Sequence, residues 1–377
     1  MMAAAEIAFW ASVGLLVYTH AGYPLLLAAL TALRRGGHAP DAGAALPTVT
    51  LTVAAHDEED SIGGWVANAL ALEYPRDLLR VVVACDGCND DTAARAQEAG
   101  ADHVVELDRR GKVAALNAVA AASGSQVLAF ADANSRWEPD ALRRLVARLA
   151  DPGVGYVCGR VTFTAPGGST NQEGLYWRYE MAVRAMESRL AGITAGNGAI
   201  NAVRADAYIA LDPGRGQDIS FPFELAKRGL RAVYEPAARA GEPMAPTIEG
   251  EFRRKRRMMA GAWNTIVNTS MLSPRGYSPL YAVEIYSHRL LRYATPILHV
   301  VALATNLALL GEGGPYPATL IAQGVLAAAA LLGRVVPLAP LLVARYYAAV
   351  TIASAAGLWD LLRHGVPKTW ESVEGTR

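Results

Sequence analysis

Apolar sequence is concentrated at the two ends of this 377-residue chain, and this distribution limits the possible folds more than any other feature. The stretch from Ile7 to Leu30 is almost uncharged, and Tyr293 to Leu362 contains few charged residues. A helix of about 20 apolar residues crosses the hydrocarbon core of a bilayer. We therefore predict an N-terminal transmembrane anchor in residues 1–35, with a buried core helix as the alternative.

The anchor is expected to remain on the mature chain. A secretory signal peptide has a short apolar run followed by a small-residue cleavage site, whereas this run continues through Tyr18 to Pro24 and ends at Arg34 and Arg35. Basic residues beside a span favour the cytoplasmic side. The sequence therefore predicts a multi-pass protein of the cell (inner) membrane, with the domain after the anchor in the cytoplasm.

The C-terminal region, residues 278–365, contains three further candidate spans, at Ala294 to Leu310, Ala318 to Gly333 and Leu338 to Leu361. Three crossings would leave the basic residues near the C-terminus outside, which the charge rule disfavours. One segment is then re-entrant or interfacial, or the rule fails here. Ser278 to Tyr293 combines charged residues with Tyr and Leu, which predicts a helix lying in the membrane interface.

Composition excludes some functions. Lys and Arg total 35 and balance 35 Asp and Glu, so no basic surface for nucleic acid is indicated. Cys85 and Cys88 form a lone Cys-x-x-Cys without the second pair or His cluster of a zinc site. The apolar C-terminal segments contain few of the polar residues expected along a pore, which argues against a channel or transporter.

Between the apolar ends, residues 47–270 alternate between strand and helix patterns. The strand patterns, such as Leu79 to Cys85, are apolar on both faces, and helices separate them. Such strands are typical of a mainly parallel sheet covered by helices on both faces. The predicted fold class is α/β, with ligands at the carboxyl ends of the strands.

Three motifs indicate a nucleotide site at those strand ends. The first strand ends in Ala55, Asp57 and Glu58, where acidic groups could accept from ribose or base, or could instead complement a helix dipole. Asp86 ends the second apolar strand and could accept from a pyrimidine imide. Lys112 opens the next helix, where it could meet a phosphate, although a surface lysine is the alternative.

Asp132-Ala133-Asn134 follows the apolar strand from Val127 to Ala131. Residues at positions i and i+2 of an extended segment share one face, and hard oxygen ligands suit Mg²⁺ or Mn²⁺ bridging a diphosphate. Asn134 offers only a neutral carbonyl, so Asp132 is expected to carry most of the metal binding.

Two later motifs indicate catalysis. Asp218 lies in a Gly-rich segment that we interpret as a loop, where it could take a proton from a hydroxyl. It could alternatively cap a helix that begins near Ile219. In the basic run from Arg253 to Arg257, Arg254 and Arg257 are one helical turn apart and could neutralise a departing diphosphate. A lipid-binding patch is the alternative.

Together these motifs resemble glycosyltransferase family 2, in its membrane-bound branch with cellulose, chitin and hyaluronan synthases. The resemblance covers about Pro47 to Trp263. It implies a GT-A fold, a cytoplasmic catalytic domain, a nucleoside diphosphate sugar donor, a divalent metal (Mg²⁺ or Mn²⁺) and inversion at the anomeric carbon.

The resemblance also implies roles for individual residues. Ala55, Asp57, Glu58 and Asp86 would hold the nucleoside, and Lys112 the pyrophosphate. Asp132 would bind the metal beside Asn134, and Asp218 would be the base. The acceptor would contact Gly196, Asn197 and Gly198, with Trp177 and Glu180 on the preceding helix. Processive members have Gln-x-x-Arg-Trp; here Arg257 is present but the Gln and Trp are not, which favours a short product.

The sequence therefore predicts an inverting, metal-dependent glycosyltransferase that moves a sugar from a nucleoside diphosphate sugar, expected to be a UDP-sugar, to a membrane-proximal glycan or lipid and forms a β-linkage. One alternative is a polyprenyl-phosphate sugar transferase. Another is a membrane subunit that binds nucleotide without turnover.

Overall fold

The structure, a computed structural model, describes residues 2–34, 45–164, 171–243 and 248–365. Arg35 and most of the stretch between the anchor and the first strand lie outside these ranges. Helices α1 (Met2–Val17) and α2 (Tyr23–Leu33) are joined through a π-helical turn at Tyr18–Gly22, so the anchor is one continuous helix.

Three helices of the described residues are long and apolar enough to cross a membrane. They are Met2–Leu33, Thr295–Glu312 and Ala339–His364. The middle C-terminal candidate forms a shorter apolar helix, Tyr316–Leu332. Two of the three predicted C-terminal spans therefore meet the length criterion, while the topology remains a prediction.

The central block contains one eight-stranded mixed sheet in the order β3-β2-β1-β4-β7-β6-β8-β5. Its strands are β1 (Val49–Ala55), β2 (Leu79–Asp86), β3 (His103–Leu107), β4 (Val127–Ala131), β5 (Arg136–Trp137), β6 (Val154–Thr164), β7 (Ile200–Arg204) and β8 (Arg231–Pro243). The first four strands are mutually parallel, as predicted. β7 runs antiparallel to β4 and β6, so the second half of the sheet is mixed.

Helices cover both faces of this sheet. They are α3 (Glu59–Leu70), α4 (Thr92–Glu98), α5 (Lys112–Ala122), α6 (Ala141–Leu149), α7 (Asn171–Leu190) and α8 (Gln217–Lys227). Alternate residues of β1 face opposite cores: Val53 packs with Trp65 of α3, whereas Ala54 packs with Leu116 of α5. The α/β class is confirmed, and its two cores explain the continuously apolar strands.

The remaining helices connect this block to the apolar helices. They are α9 (Ile248–Asn268), α10 (Pro279–Glu284), α11 (Leu291–Tyr293), α12 (Thr295–Leu309), α13 (Tyr316–Leu332) and α14 (Ala339–His364), with a π-helical turn at Ile285–Leu290 between α10 and α11. α9 packs on α14: the indole N–H of Trp263 donates to the Ser354 carbonyl at 3.1 Å. A Cβ on Gly357 would come within 2.6 Å of Met259, so this close approach of the two helices requires a glycine.

The segment predicted to lie in the membrane interface folds as α10, the π-helical turn and α11. Its polar side chains Glu284, His288 and Arg289 are buried within the protein. Their burial shows that these side chains contact other protein groups rather than headgroups. The interfacial position of the segment as a whole remains a prediction.

Candidate active site

Charged side chains from several elements converge at the carboxyl ends of β1, β2 and β4. Lys112 begins α5, and its ammonium group donates a hydrogen bond to Asp132 at the end of β4. Burial alone would lower the pKa of Lys112, but Asp132, together with Asp218 and Glu242, outweighs burial and raises it. Lys112 is therefore a fixed cation at this edge of the sheet.

Asp86 organises the loop that precedes Lys112. Its buried carboxylate accepts from the N–H of Arg110 at 2.7 Å and from the N–H of Gly111 at 2.9 Å. Gly111 has φ +94°, a conformation that favours glycine. Asp86, predicted to contact the nucleoside, thus contacts main-chain N–H groups and fixes the start of α5.

The first motif divides between an open and a buried position. Asp57, at the tip of β1 just after Ala55, has φ +52° and is the one non-glycine residue in the described part of the chain with positive φ. Its carboxylate accepts from the N–H of Asn89 at 2.8 Å. Glu58 is buried and accepts from the Ser61 hydroxyl at 2.8 Å, in the first turn of α3. The strained backbone at Asp57 is typical of ligand-binding turns.

Asp132 and Asn134 lie in a hydrogen-bonded turn after β4, in which the Ser135 N–H donates to the Asp132 carbonyl at 3.0 Å, and not in the extended segment that the sequence predicts. Both are partly exposed, whereas Ala133 and Ser135, which alternate with them, are buried. The Ser135 hydroxyl donates to the Asp132 carbonyl at 2.8 Å and to the Ala199 carbonyl at 3.1 Å, which anchors the turn. A carboxylate and an amide that are both partly exposed in one turn provide the hard oxygen donors that Mg²⁺ and Mn²⁺ prefer, so these residues fit the implied metal.

Asp218 lies in the first turn of α8 and not in a loop. The helix begins at Gln217 and its N-cap is Gly216, so the interpretation of Asp218 as the N-cap is wrong. Burial, together with the charge of Asp132, raises the pKa of the Asp218 carboxyl, although Lys112 acts in the opposite direction. A raised pKa makes a carboxylate a better proton acceptor.

Glu242 is a further acidic residue at this site that sequence reasoning missed. The sequence pattern from Arg231 predicts a strand only as far as Glu235, but β8 continues to Pro243 and carries Glu242 to the same edge. Burial and the charge of Asp132 raise the pKa of Glu242 to about 8, while Arg254 and Lys112 oppose that shift. In the sequence, Glu242 lies between Gly241 and Pro243, a pattern that indicates the end of a strand and does not indicate an active-site residue.

The segment predicted to line the acceptor site lies directly over Lys112 and Asp132. A Cβ on Gly198 would come within 2.9 Å of the Lys112 Nζ and 3.2 Å of an Asp132 carboxylate oxygen. A Cβ on Gly196 would come within 2.1 Å of the Tyr156 hydroxyl. The contact with the buried Tyr156 ring therefore requires a glycine at position 196, whereas a Cβ at position 198 would displace the flexible end of Lys112.

This segment is held by Arg184, which the sequence analysis did not select, and by the side chain of Asn197, which it did select. Arg184 of α7 donates to the Gly196 carbonyl at 3.2 Å, and its guanidinium lies 5.8 Å from the centre of the Tyr234 ring. The Asn197 side chain donates to the Gly159 carbonyl at 2.9 Å and accepts from the Ile200 N–H at 2.9 Å. Asn197 therefore shapes the turn.

The two predicted acceptor residues on α7 have different surroundings. The Trp177 indole donates to the Val161 carbonyl at 3.1 Å and packs edge-on against Phe163. Glu180 forms ion pairs with Arg292 and, at 3.5 Å, with His288. Its carboxylate therefore links α7 to the segment before the second long apolar helix.

The basic run on α9 is divided between the site and the last helix. Arg254 is half-buried and interacts electrostatically with Glu242. Arg256 makes a bidentate ion pair with Asp360 of α14, at 2.5 and 2.6 Å, and Lys255 lies over the Tyr346 ring. Arg257 is exposed. The structure thus brings Arg254 close to Glu242, which interacts in turn with Asp132 and Asp218.

A second group of side chains in the described part of the chain is close enough together to hold a metal ion. Oxygen or sulfur atoms of Asp57, Cys88 and Asp90 lie within 4.8 Å of one another. Asp90 accepts from the N–H groups of Glu59 and Thr92, so its oxygens already stabilise the turn. This cluster mixes a thiol with carboxylates, which suits Mg²⁺ or Mn²⁺ less well than Asp132 and Asn134.

A family comparison decides the identity of the central block. Residues 47–261, more than half of the chain, match the family model described as glycosyltransferase like family 2. The protein belongs to this family. The matched range contains the eight strands of the described sheet and ends within α9, so Lys112, Asp132 and Asp218 of this glycosyltransferase all lie inside the family domain.

Two curated relatives are similar in sequence. An N-acetylglucosaminyltransferase of Rhizobium meliloti (strain 1021) is 24% identical over 290 residues, which are 69% of this chain and 67% of the relative. A beta-monoglucosyldiacylglycerol synthase of Synechocystis sp. is 34% identical over 116 residues, which are 29% of this chain but only 24% of the relative.

A solved structure covers nearly the whole chain. The mannosyltransferase of Pyrobaculum calidifontis, solved with GDP-Man and Mn²⁺, has a TM-score of 0.73 and 23% identity. The likeness covers 96% of this glycosyltransferase and 99% of that chain. The predicted GT-A fold is confirmed.

Proposed function

We propose that this glycosyltransferase moves a sugar, with inversion, from a nucleoside diphosphate sugar, a UDP-sugar in our proposal, to a membrane-proximal glycan or lipid. The observation that carries the proposal is the convergence of Lys112, Asp132 and Asp218 at one sheet edge. A cation for the diphosphate, a metal-site acid and a base candidate are the three groups that a direct displacement needs.

Each residue at the site has a separate proposed role in the displacement. Asp218 accepts the proton of the acceptor hydroxyl as the oxygen attacks the anomeric carbon, and attack opposite the leaving group forms a β-linkage from an α-linked donor. Lys112 and Arg254 stabilise the negative charge that develops on the departing diphosphate. Asp57 and the strand-end main chain around Ala55 contact the nucleoside, while Asp86 holds the loop in shape.

The metal belongs to the same side of the site. Asp132 and Asn134 would hold a Mg²⁺ or Mn²⁺ ion, which when bound would neutralise diphosphate charge. Arg257, exposed on α9, is proposed to contact the diphosphate or anionic lipid. The absence of the processive Trp beside it supports a single addition or a short product.

A membrane-proximal acceptor is supported by the position of the acceptor segment. α7, which carries Trp177 and Glu180, packs on α2 of the anchor through a cluster that includes Val183 and Leu27. We propose that the catalytic domain faces the cytoplasm, and that the acceptor approaches from the membrane side of α7.

The test uses the full chain in nanodiscs. It is incubated with a panel of UDP-sugars and GDP-mannose, with Mg²⁺ or Mn²⁺, and with either a glycan acceptor or polyprenyl phosphate. Release of UDP with a glycan or glycolipid product of one or a few sugars is expected. Transfer only to polyprenyl phosphate would favour the lipid-phosphate alternative, and nucleotide binding without release would contradict transfer.

A further inference from the structure

Five buried side chains form one hydrogen-bonded network where the anchor meets the catalytic domain. They come from four separate parts of the chain: α2, α7, the segment after α7, and the π-helical turn Ile285–Leu290. These side chains are Tyr23, Glu187, Thr194, His288 and Arg289. A buried polar network of this kind fixes the relative positions of the elements that contribute to it.

Glu187 is the centre of the network. Its Oε1 accepts from the Tyr23 hydroxyl at 2.6 Å and lies 2.7 Å from His288 Nδ1. Its Oε2 lies 3.2 Å from the Thr194 hydroxyl, which accepts from Arg289 Nε at 2.9 Å. Burial alone would raise the pKa of Glu187, but His288 and Arg289 outweigh it and lower the pKa. A buried carboxylate depends on each donor it has, because an unsatisfied charge is costly.

The main chain after Thr194 leads directly to the reacting centre. The Gly196 N–H donates to the Asp218 carbonyl at 2.7 Å, and Gly198 lies against Lys112 and Asp132. Residues 194–198 therefore connect the network to the base candidate within a few residues. A small displacement of Thr194 would be transmitted to the backbone that carries Asp218.

We propose that Tyr23 is a positioning residue for sugar transfer: through Glu187 and Thr194 it holds residues 194–198, and with them Asp218, in place. The N-terminal anchor is then part of the architecture of the active site as well as a membrane tether. This inference rests on the proposed function for its kinetic consequence, but its structural consequence can be measured without turnover.

Tyr18 supplies a matched control. Its hydroxyl is 2.8 Å from the Ser287 hydroxyl, so it joins the same anchor to the same π-helical turn without contacting Glu187. Tyr18→Phe and Tyr23→Phe each remove one hydroxyl and keep the ring. A general loosening of the anchor would affect both variants alike, whereas positioning through Glu187 affects only Tyr23→Phe.

The first measurement is hydrogen exchange of peptides covering residues 193–198, in nanodiscs, for the wild type, both Phe variants and Glu187→Gln. Exchange is expected to be several-fold faster in Tyr23→Phe and Glu187→Gln, and unchanged in Tyr18→Phe. Wild-type exchange in a folded Tyr23→Phe protein would overturn the proposal, and so would equal acceleration in both Phe variants.

The second measurement separates kcat from KM, with the donor that the nucleotide-sugar panel selects. Tyr23→Phe is expected to lower kcat by about 10- to 100-fold, the upper value being the cost of a misplacement of about 1 Å at a reacting centre, with the KM for donor unchanged. A stable Tyr23→Phe protein with wild-type kcat would overturn positioning and leave the proposed function intact. If the wild type transfers no sugar, the proposed function fails, and the exchange result alone decides the positioning role.

Discussion

The main-chain N–H of Gly196 donates to the main-chain carbonyl of Asp218 at 2.7 Å. This bond joins residues 196–198, the segment predicted to line the acceptor site, to the first turn of α8, which carries the proposed base. Because the contact involves only the main chain, the side chain of Asp218 can be changed without removing it. That separation makes substitutions at Asp218 informative.

Asp218→Asn is expected to cut turnover by about 10²- to 10⁴-fold, the usual contribution of a positioned general base. Donor binding should be nearly unchanged, because Lys112 and Asp132 remain. Turnover and calorimetric donor affinity are measured side by side. Asp212→Asn, an exposed carboxylate in the preceding turn, is the control. Near wild-type turnover would leave this enzyme without an identified base.

The same substitution is expected to change stability in a pH-dependent way. The pKa of Asp218 is higher in the folded state than in the unfolded state, so the protonated carboxyl stabilises the fold. This stabilisation is fully present below the unfolded pKa of about 3.9 and is lost as pH rises through the folded pKa. Asn cannot ionise and avoids this loss. The melting temperature of Asp218→Asn minus that of the wild type should therefore increase as pH rises from about 4. A difference that decreases with pH would contradict the raised pKa.

Asp132→Ala should abolish metal-dependent donor binding, since it removes the charged oxygen ligand of the Asp-x-Asn motif. Calorimetry with UDP, with and without Mn²⁺, measures the effect. Asp108→Ala changes an exposed carboxylate, paired at 3.5 Å with Arg110, and is the control. Metal-dependent affinity equal to that of the wild type would remove Asp132 from the metal site.

Gly198→Ala is expected to preserve the fold but weaken donor binding. The new Cβ would lie 2.9 Å from Lys112 Nζ, at the flexible end of a side chain, so Lys112 must move. Loss of one charged hydrogen bond to a phosphate corresponds to a reduction in affinity of about 10- to 100-fold. Gly63→Ala, in a helix with open space around it, is the control. Equal donor affinity in both variants would argue against Lys112 as a phosphate ligand.

The predicted topology places the N-terminus outside and the catalytic domain in the cytoplasm. Single cysteines at Ala3→Cys and Ala45→Cys, in a chain whose three native cysteines are replaced, are labelled in intact cells with an impermeant reagent. Ala3→Cys should react and Ala45→Cys should be protected. The reverse pattern would place the donor site away from cytosolic nucleotide sugars.

Local sequence patterns were sufficient for much of the fold. Apolar runs predicted the long N-terminal helix, and strand-helix alternation predicted the first four parallel strands. Strand-end positions also identified Asp132 and Lys112, because parallel strands bring their carboxyl ends to one edge. These inferences need only neighbours in sequence and the known geometry of a strand or helix.

Other assignments depended on partners distant in sequence. The Gly-rich sequence around Asp218 predicts a loop, whereas in the structure Asp218 lies in the first turn of α8 and its carbonyl accepts from the distant Gly196 N–H. The sequence pattern predicts the same role for Arg254 and Arg257, whereas the packing of α9 brings the half-buried Arg254 close to Glu242 and leaves Arg257 exposed. The sequence predicts that Glu180 contacts the acceptor. In the structure Glu180 contacts Arg292 and His288, because α7 packs beside the π-helical turn and α11, and no local sequence pattern indicates this packing.

The sequence by itself determined the apolar helices, the α/β alternation and the strand-end motifs, because each is encoded in residues that are close along the chain. Only the tertiary structure decided that Glu242 joins Asp132 and Lys112, and that Tyr23 of the anchor reaches Glu187. The physical reason is that burial and charge pairing depend on which distant segments pack together, and no local periodicity specifies those contacts.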